Sequence, residues 1–285
     1  MAEKNTSGER FMDDVSALAS IPHRGPATPG EAKAADYVAE RLRELGMSPS
    51  IEPFMLAPHF PITWALHGVF AALLCWLATC SPVWAAILTV PVIISFWGDS
   101  STRFYMLRKL MPKRESRHVI GKVSAPGAKE GADPVKRIII ASHIDAGQMG
   151  LTLNPNSVRS STKLFKAAFG MQPLYLWFWF WSVAAVAPVS LLYGATGGAA
   201  AVKWILVFLA IFNLIHSVLF TQLEFAAISP GASDNASAVA VMLDLARRFN
   251  DKPLANSEIW YLGDGSEETY MNGMAKFFGR PPADS

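Results

Sequence analysis

Two long stretches almost without charge decide what this chain can fold into. From Ile62 to Trp97 there is no Asp, Glu, Lys or Arg, and from Pro173 to Phe220 the only charge is Lys203. At about 1.5 Å per helical residue the first stretch is nearly twice the roughly 30 Å of a bilayer's hydrocarbon core. Each stretch is broken near its middle, the first at Cys80-Ser81-Pro82 and the second at Tyr193-Gly194-Ala195-Thr196-Gly197-Gly198. Proline and glycine there predict turns, so each stretch reads as a hairpin of two membrane-crossing helices, near 62–80 and 83–98, then 174–193 and 201–220. Trp177, Trp179 and Trp181 open the second hairpin, as in an aromatic belt at a membrane interface. The competing reading, two buried hairpins of a soluble protein, would overfill the core of a chain of 285 residues. Charged residues are 17% of the chain and hydrophobic ones 51%, and the hairpins account for that imbalance.

No apolar leader precedes the hairpins; residues 1–50 are polar and charged. Two hairpins return the chain to one side, so residues 1–61, 99–172 and 221–285 are expected to share a compartment. Arg103, Arg108, Lys109, Lys113, Arg114, Arg117, Arg159, Lys163 and Lys166 flank that side, against Lys203 on the other. The positive-inside bias places the three blocks in the cytoplasm, at a bacterial-type inner or plasma membrane. His67 and His216 fall within spans and are expected to make interhelical hydrogen bonds. The formal net charge of +2 argues against nucleic acid as a partner, as does the lack of a phosphate-binding glycine loop. Cys75 and Cys80, the two cysteines, offer neither a disulfide framework nor a cysteine zinc cluster.

The polar blocks read as one α/β domain, a mostly parallel sheet with flanking helices, interrupted by the hairpins. Thr28-Pro29-Gly30-Glu31 predicts a helix start with a capping box, and Gly46 its end. A shorter helix is expected around Phe11, Val15 and Leu18. Arg137–Ser142 reads as a buried strand ending at His143-Ile144-Asp145. A turn at Pro230-Gly231 and Asp234-Asn235 precedes a helix with Val239, Met242, Leu243, Ala246 and Phe249 on one face. Glu258–Leu262 predicts a further strand, followed by the loop Gly263–Glu268. Parallel sheets carry their sites at the carboxyl ends of strands, where His143, Asp145, Glu267 and Glu268 all fall. Singly each has a plain explanation: a hydrogen-bonded His–Asp pair, a helix-capping Asp234, loop surface charge. Together they supply an imidazole, a carboxylate able to bridge two cations, and spare carboxylates to bind metal and accept a proton.

Ile139–Asp145, Pro230–Ala238 and Gly265–Glu268 resemble the three successive motifs of the M28 family of di-zinc metallopeptidases, which is dominated by aminopeptidases. Ile21-Pro22-His23-Arg24 with Thr28–Glu31 resembles that family's N-terminal region. The resemblance implies an incomplete zinc aminopeptidase-like fold in which His143 binds one zinc ion and Asp145 orients its imidazole. Asp234 would bridge two ions, with the following peptide bond often cis in this family. Glu267 would act as the general base toward water, and Glu268 would bind the second ion. The substrate would be a peptide or protein N-terminus, and the partner surface a lipid bilayer.

The family pattern continues with an acidic ligand and then a histidine. After Glu268 this chain has only Asp284 and no histidine. The chain is therefore expected to be truncated at its C-terminus relative to an intact member, or to have lost both-metal binding. The function that follows is a membrane-anchored M28-like aminopeptidase. Its rivals are a catalytically incomplete membrane relative with an interaction role and a glutaminyl-cyclase-like acyltransferase on the same fold. A small channel or transporter is the weakest, because the predicted spans hold no acidic residue.

Overall fold

The computed structural model describes residues 7–124, 136–170 and 175–279. Its contacts divide the chain into two units: residues 1–58, 113–147 and 228–285 form one, and residues 59–112 and 148–227 the other.

The first unit is a four-stranded sheet with helices on it. Its strands are β1 (Ser50–Leu56), β2 (Arg114–Val123), β3 (Lys136–His143) and β4 (Ser257–Asp264), in the order β1-β2-β4-β3. The expected parallel pairing holds for β3 and β4, which lie in register from Lys136 against Ser257 to His143 against Asp264. The β1–β2 and β2–β4 pairings are antiparallel, so the sheet is mixed rather than mostly parallel. β1 and β2 were the unread elements. β1 carries Pro53 and alternates only weakly, as an edge strand may without cost, and β2 opens on charged residues. β3 also departs from expectation. It is an edge strand with Ile138 and Ile139 more than one-third exposed, not a buried one, because no described strand pairs with its outer side.

Helix α1 (Ser7–Ala19) buries Leu18, and α2 (Pro29–Glu44) buries Ala34, Ala35, Val38 and Leu42. Thr28 caps α2 as its sequence predicts, the side-chain oxygen accepting from the Glu31 N–H at 3.3 Å. The helix α8 (Ser237–Asp251) packs its predicted face, Val239, Met242, Leu243 and Ala246, into the same core. Val119, Ile144, Ile259 and Tyr261 meet it from the strands and the β3 end. At roughly 1.5–3 kcal/mol per fully buried aliphatic side chain, this core fixes the helices that flank the ends of β3 and β4.

The second unit contains four helices long and apolar enough to cross a membrane: α3 (Phe60–Ala78), α4 (Pro82–Ser100), α6 (Tyr175–Ala195) and α7 (Ala200–Glu224). Mean hydropathy over their best windows is 1.5 to 2.1. The helices run past the uncharged stretches to include Asp99 and Glu224. Neither acid is left alone. Asp99 is buried against Arg108 and the Trp64 indole N–H, and Glu224 pairs with His59 Nδ1 at 2.6 Å. Arg108, one of the basic residues that flank the first hairpin, is thus a buried ion-pair partner. His67 makes the expected interhelical bond, Nε2 to Ser95 Oγ at 2.9 Å. His216 instead bonds its own helix, Nδ1 to Phe212 O at 2.8 Å, and stacks on Trp179. A shorter helix, α5 (Pro155–Phe169), precedes α6, and α9 (Asn272–Phe278) closes the described part of the first unit.

Candidate metal centre

The parallel β3–β4 pair sets the site. Opposite His143, the last residue of β3, stands Asp264, the last of β4, and both strands then turn into loops at the same edge. After β3 the chain runs Ile144-Asp145-Ala146-Gly147, and after β4 it runs Gly265-Ser266-Glu267-Glu268. The turn preceding α8 brings up Asp234, whose peptide bond to Asn235 is cis.

All five sequence-predicted site residues meet there. His143 Nε2 lies 3.2 Å from Asp234 Oδ1 and 3.8 Å from Glu267 Oε2. His143 Nδ1 faces Asp145 Oδ1 at 3.3 Å. Asp145 is fully buried and does more than face the imidazole. Its two oxygens accept from the backbone N–H groups of Glu267, at 3.3 Å, and Glu268, at 2.9 Å. One carboxylate therefore fixes the ring and the loop bearing the two glutamates. Donor atoms of His143, Asp234 and Glu268 all lie within 4.8 Å of one another.

These residues fit a divalent cation by the chemistry of the donor set. One imidazole and two carboxylates give the three protein ligands of a catalytic zinc site, with a position left for water. The surrounding charge points the same way. Burial raises the Glu268 carboxyl to about 7, with the Asp145 charge adding to it and His143 opposing. Glu267 is raised for the same first reason, against the pull of His143. Burial alone would lower His143, but the contact and charge of Asp145, with Glu267 and Glu268, outweigh it and lift the imidazole to about 9. Four carboxylates crowd one histidine, and a cation among them relieves that repulsion.

Sequence reasoning left several supporting residues unassigned. Arg24 is fully buried and reaches both ligand-bearing loops. Its Nη1 donates to Ile144 O at 2.6 Å and to Asp145 O at 3.4 Å, and its Nη2 to Pro230 O at 3.0 Å and Gly231 O at 2.9 Å. Burial pulls this guanidinium down from its ordinary value, and Asp145, Asp234 and Glu268 oppose that pull. Gly231, at φ +61°, has no room for a side chain, since a Cβ would sit 2.5 Å from Arg24 Nη2. Gly147 lies against Glu268, where a Cβ would come 2.8 Å from a carboxylate oxygen.

Glu31 was read as the second half of a capping box, and it does bond backward, accepting from Ala27 N at 3.0 Å. Its other oxygen crosses to the site loop and accepts from Ser266 N at 2.6 Å and Ser266 Oγ at 3.1 Å. Ser266 holds a left-handed φ of +58°, and Tyr270 and Met271 are left-handed too. Such backbone costs about 1–3 kcal/mol per residue and persists where neighbours hold it; Glu31 is the neighbour at Ser266. Burial and the Asp145 charge push the Glu31 carboxyl up to about 8. His118 pairs with Asp264 at 3.0 Å, both fully buried behind the site. The signal for that pair was a histidine in a charged stretch and an acid at a strand end, which is too common to read.

The model of Peptidase family M28 matches residues 217–285. Among solved structures, the chain is similar to a glutaminyl cyclase from Tannerella forsythia at 10% identity, TM-score 0.42, covering 92% of this chain and 47% of that one. It is similar to a Zn-dependent exopeptidase from Parabacteroides distasonis at 12% identity, TM-score 0.41, covering 93% and 48%. It is similar also to an aminopeptidase from Aneurinibacillus sp. strain AM-1 at 13% identity, TM-score 0.46, covering 99% and 68%. The chain thus spans about half the length of the first two. No curated protein sequence matches it. The segment similar to Peptidase family M28 is the one carrying Asp234, Glu267 and Glu268.

Proposed function

We propose that this chain is a membrane-anchored zinc peptidase that removes N-terminal residues from peptides, with its centre at His143, Asp234 and Glu268. The observation that carries the reading is the convergence of those three donors within 4.8 Å, with a further carboxylate, Glu267, 3.8 Å from His143 Nε2. The bound zinc would supply Lewis acidity toward the scissile carbonyl and lower the pKa of water. His143, Asp234 and Glu268 would hold the ion. Three ligands suffice for one zinc ion; a pair, as the family resemblance implies, needs ligands beyond these.

Glu267 stays out of the three-donor cluster and accepts the proton of the attacking water, then returns it to the leaving amine. Its carboxyl is raised by burial, in the direction a base working near neutral pH requires. Asp145 keeps the His143 ring in place and pins the backbone of the glutamate pair. Arg24 and Glu31 hold the three loops together from below. The membrane part rests on α3, α4, α6 and α7, each long and apolar enough to span; the basic flanks favour a cytoplasmic side for the peptidase unit.

The test uses purified protein, zinc and an aminoacyl-anilide. Glu267→Gln should bind zinc as the parent does and lose about 10²–10⁴ of turnover, the usual worth of a general base. Undiminished turnover removes Glu267 from that role. Turnover of an N-terminal glutaminyl peptide to its cyclised product, without anilide hydrolysis, replaces peptidase by cyclase.

A further inference from the structure

The segment between the site loops and the third apolar helix carries three of the basic residues that flank the apolar stretches, Arg159, Lys163 and Lys166. It contains a helix with two chemically opposite sides. α5 starts at Asn154, whose side chain accepts from Asn156 N at 3.0 Å, and Pro155, and ends at Gly170, φ +67°. Arg159, Lys163 and Lys166 follow at i, i+4 and i+7 and form one stripe. Val158, Leu164 and Phe165 fall on the other side, and Leu164 is 71% exposed. Leading into the helix, Met149, Leu151 and Leu153 are each more than half exposed. Residues 148–170 contain no Asp or Glu. None of the described α5 residues enters the buried core of its unit.

A helix of this kind in plain water would be a liability, since a row of large apolar side chains would face solvent beside a row of unpaired cations. What covers it follows from where it sits. Phe165 meets Phe178 of α6 edge-on, ring centroids 5.0 Å apart. That contact ties α5 to the first turn of an apolar helix whose Trp177 and Trp181 point outward, 55% and 60% exposed. Aromatic residues at the mouth of a spanning helix mark the level of the lipid headgroups, so α5 is held at that level. A helix with a cationic stripe opposite an apolar one is the sequence form that lies in a bilayer interface.

We propose that α5 is an interfacial helix that lies in the bilayer surface, its Val158/Leu164/Phe165 side in the acyl boundary and its Arg159/Lys163/Lys166 stripe on anionic lipid headgroups. The proposal rests on the reading that α3, α4, α6 and α7 cross the bilayer. The site is a binding surface for negatively charged phospholipid and does not use any residue of the metal centre.

The experiment uses the full chain in lipid nanodiscs. In a Cys80→Ser background, which leaves only the buried Cys75, Leu164→Cys carries an environment-sensitive fluorophore. Ile205→Cys in α7, 45% exposed, carries it in a second protein. Discs are made of phosphatidylcholine alone or mixed with phosphatidylglycerol, each with nitroxide-bearing lipid as quencher. The label at Leu164 should be quenched in the mixed discs and much less in phosphatidylcholine alone. Arg159→Glu with Lys163→Glu and Lys166→Glu should abolish that preference. Losing three cations near an anionic surface lowers the bound-to-free ratio on the order of a hundredfold. An unquenched Leu164 label beside a quenched Ile205 label overturns the proposal and leaves the spans standing. Equal quenching in both lipids, insensitive to the charge reversal, also overturns it. An Ile205 label that stays in water overturns the spanning reading, and α5's role with it.

Discussion

Removing the Arg24 side chain is the sharpest structural perturbation available without touching a proposed metal ligand. In Arg24→Met, Ile144 O, Pro230 O and Gly231 O lose donors now 2.6, 3.0 and 2.9 Å away. A hydrogen bond from a charged donor contributes about 1.5–3 kcal/mol net, so a simple sum reaches about 5–9 kcal/mol. Backbone relaxation and water entry reduce it, and about 4 kcal/mol, near the top of the range for single substitutions, is the expected loss. For a unit of this size that lowers the melting temperature by roughly 10 °C. The second effect is local. The end of β3 with its loop and the turn before α8 carry His143, Asp145 and Asp234, and among the described residues Asn235, bonded to Ser142 Oγ at 3.1 Å and His143 O at 3.4 Å, bridges them with fewer bonds than Arg24. Disturbing the support of metal ligands weakens zinc binding about 10–100-fold. Arg24→Lys keeps the charge among Asp145, Asp234 and Glu268 but replaces a planar fork by one ammonium, so it should recover less than half of either loss. Melting is followed with and without zinc, and zinc affinity by competition with a fluorescent chelator. If Arg24→Lys and Arg24→Met both bind zinc like the parent, Arg24 does not position the centre.

Gly147→Ala should weaken zinc binding while leaving the metal-free melting temperature nearly unchanged, because its Cβ meets the movable end of Glu268, 2.8 Å away; chelator competition reads the first effect and calorimetry the second. The metal-free protein should lose stability as pH rises between about pH 4.5 and pH 9. The sign follows from the shifts: His143, raised to about 9, contributes stability that is full below its unfolded value and lost through 9. Glu268 and Glu31, raised by burial from 4.5 to about 7 and about 8, stay protonated in the fold after the unfolded chain has ionised, so stability falls from about pH 4.5 until they ionise too. Saturating zinc, which binds the deprotonated ligands, should flatten or invert that slope in a melting series, and an unchanged slope would detach these groups from the metal.

Much of the fold was readable because a few residues left little freedom. A run of 36 uncharged residues such as Ile62–Trp97 has few destinations, and Thr28-Pro29 specifies a helix start through atoms within three residues of each other. His143, Asp145, Asp234, Glu267 and Glu268 were found because strand ends and turns are local signals and the residues have the right chemistry. The parts that were missed depend on distance along the chain. Nothing near Arg24 says that its partners lie 120 and 206 residues away, and nothing near Glu31 points to Ser266. β1 and β2 escaped because edge and charged strands have no strong period. His118 drew no assignment because its partner Asp264 is a strand away. Local chemistry named the candidate ligands; only the folded chain shows that Arg24 and Glu31 hold the segments that bear them.

The central claim is that His143, Asp234 and Glu268 bind a divalent cation. Zinc per chain, measured on protein dialysed against buffered zinc and compared with His143→Ala and Glu268→Ala at equal helical content by circular dichroism, tests it directly. The account predicts bound zinc in the parent and its loss in both variants. A parent that holds no zinc, or variants that hold as much as the parent, would contradict it.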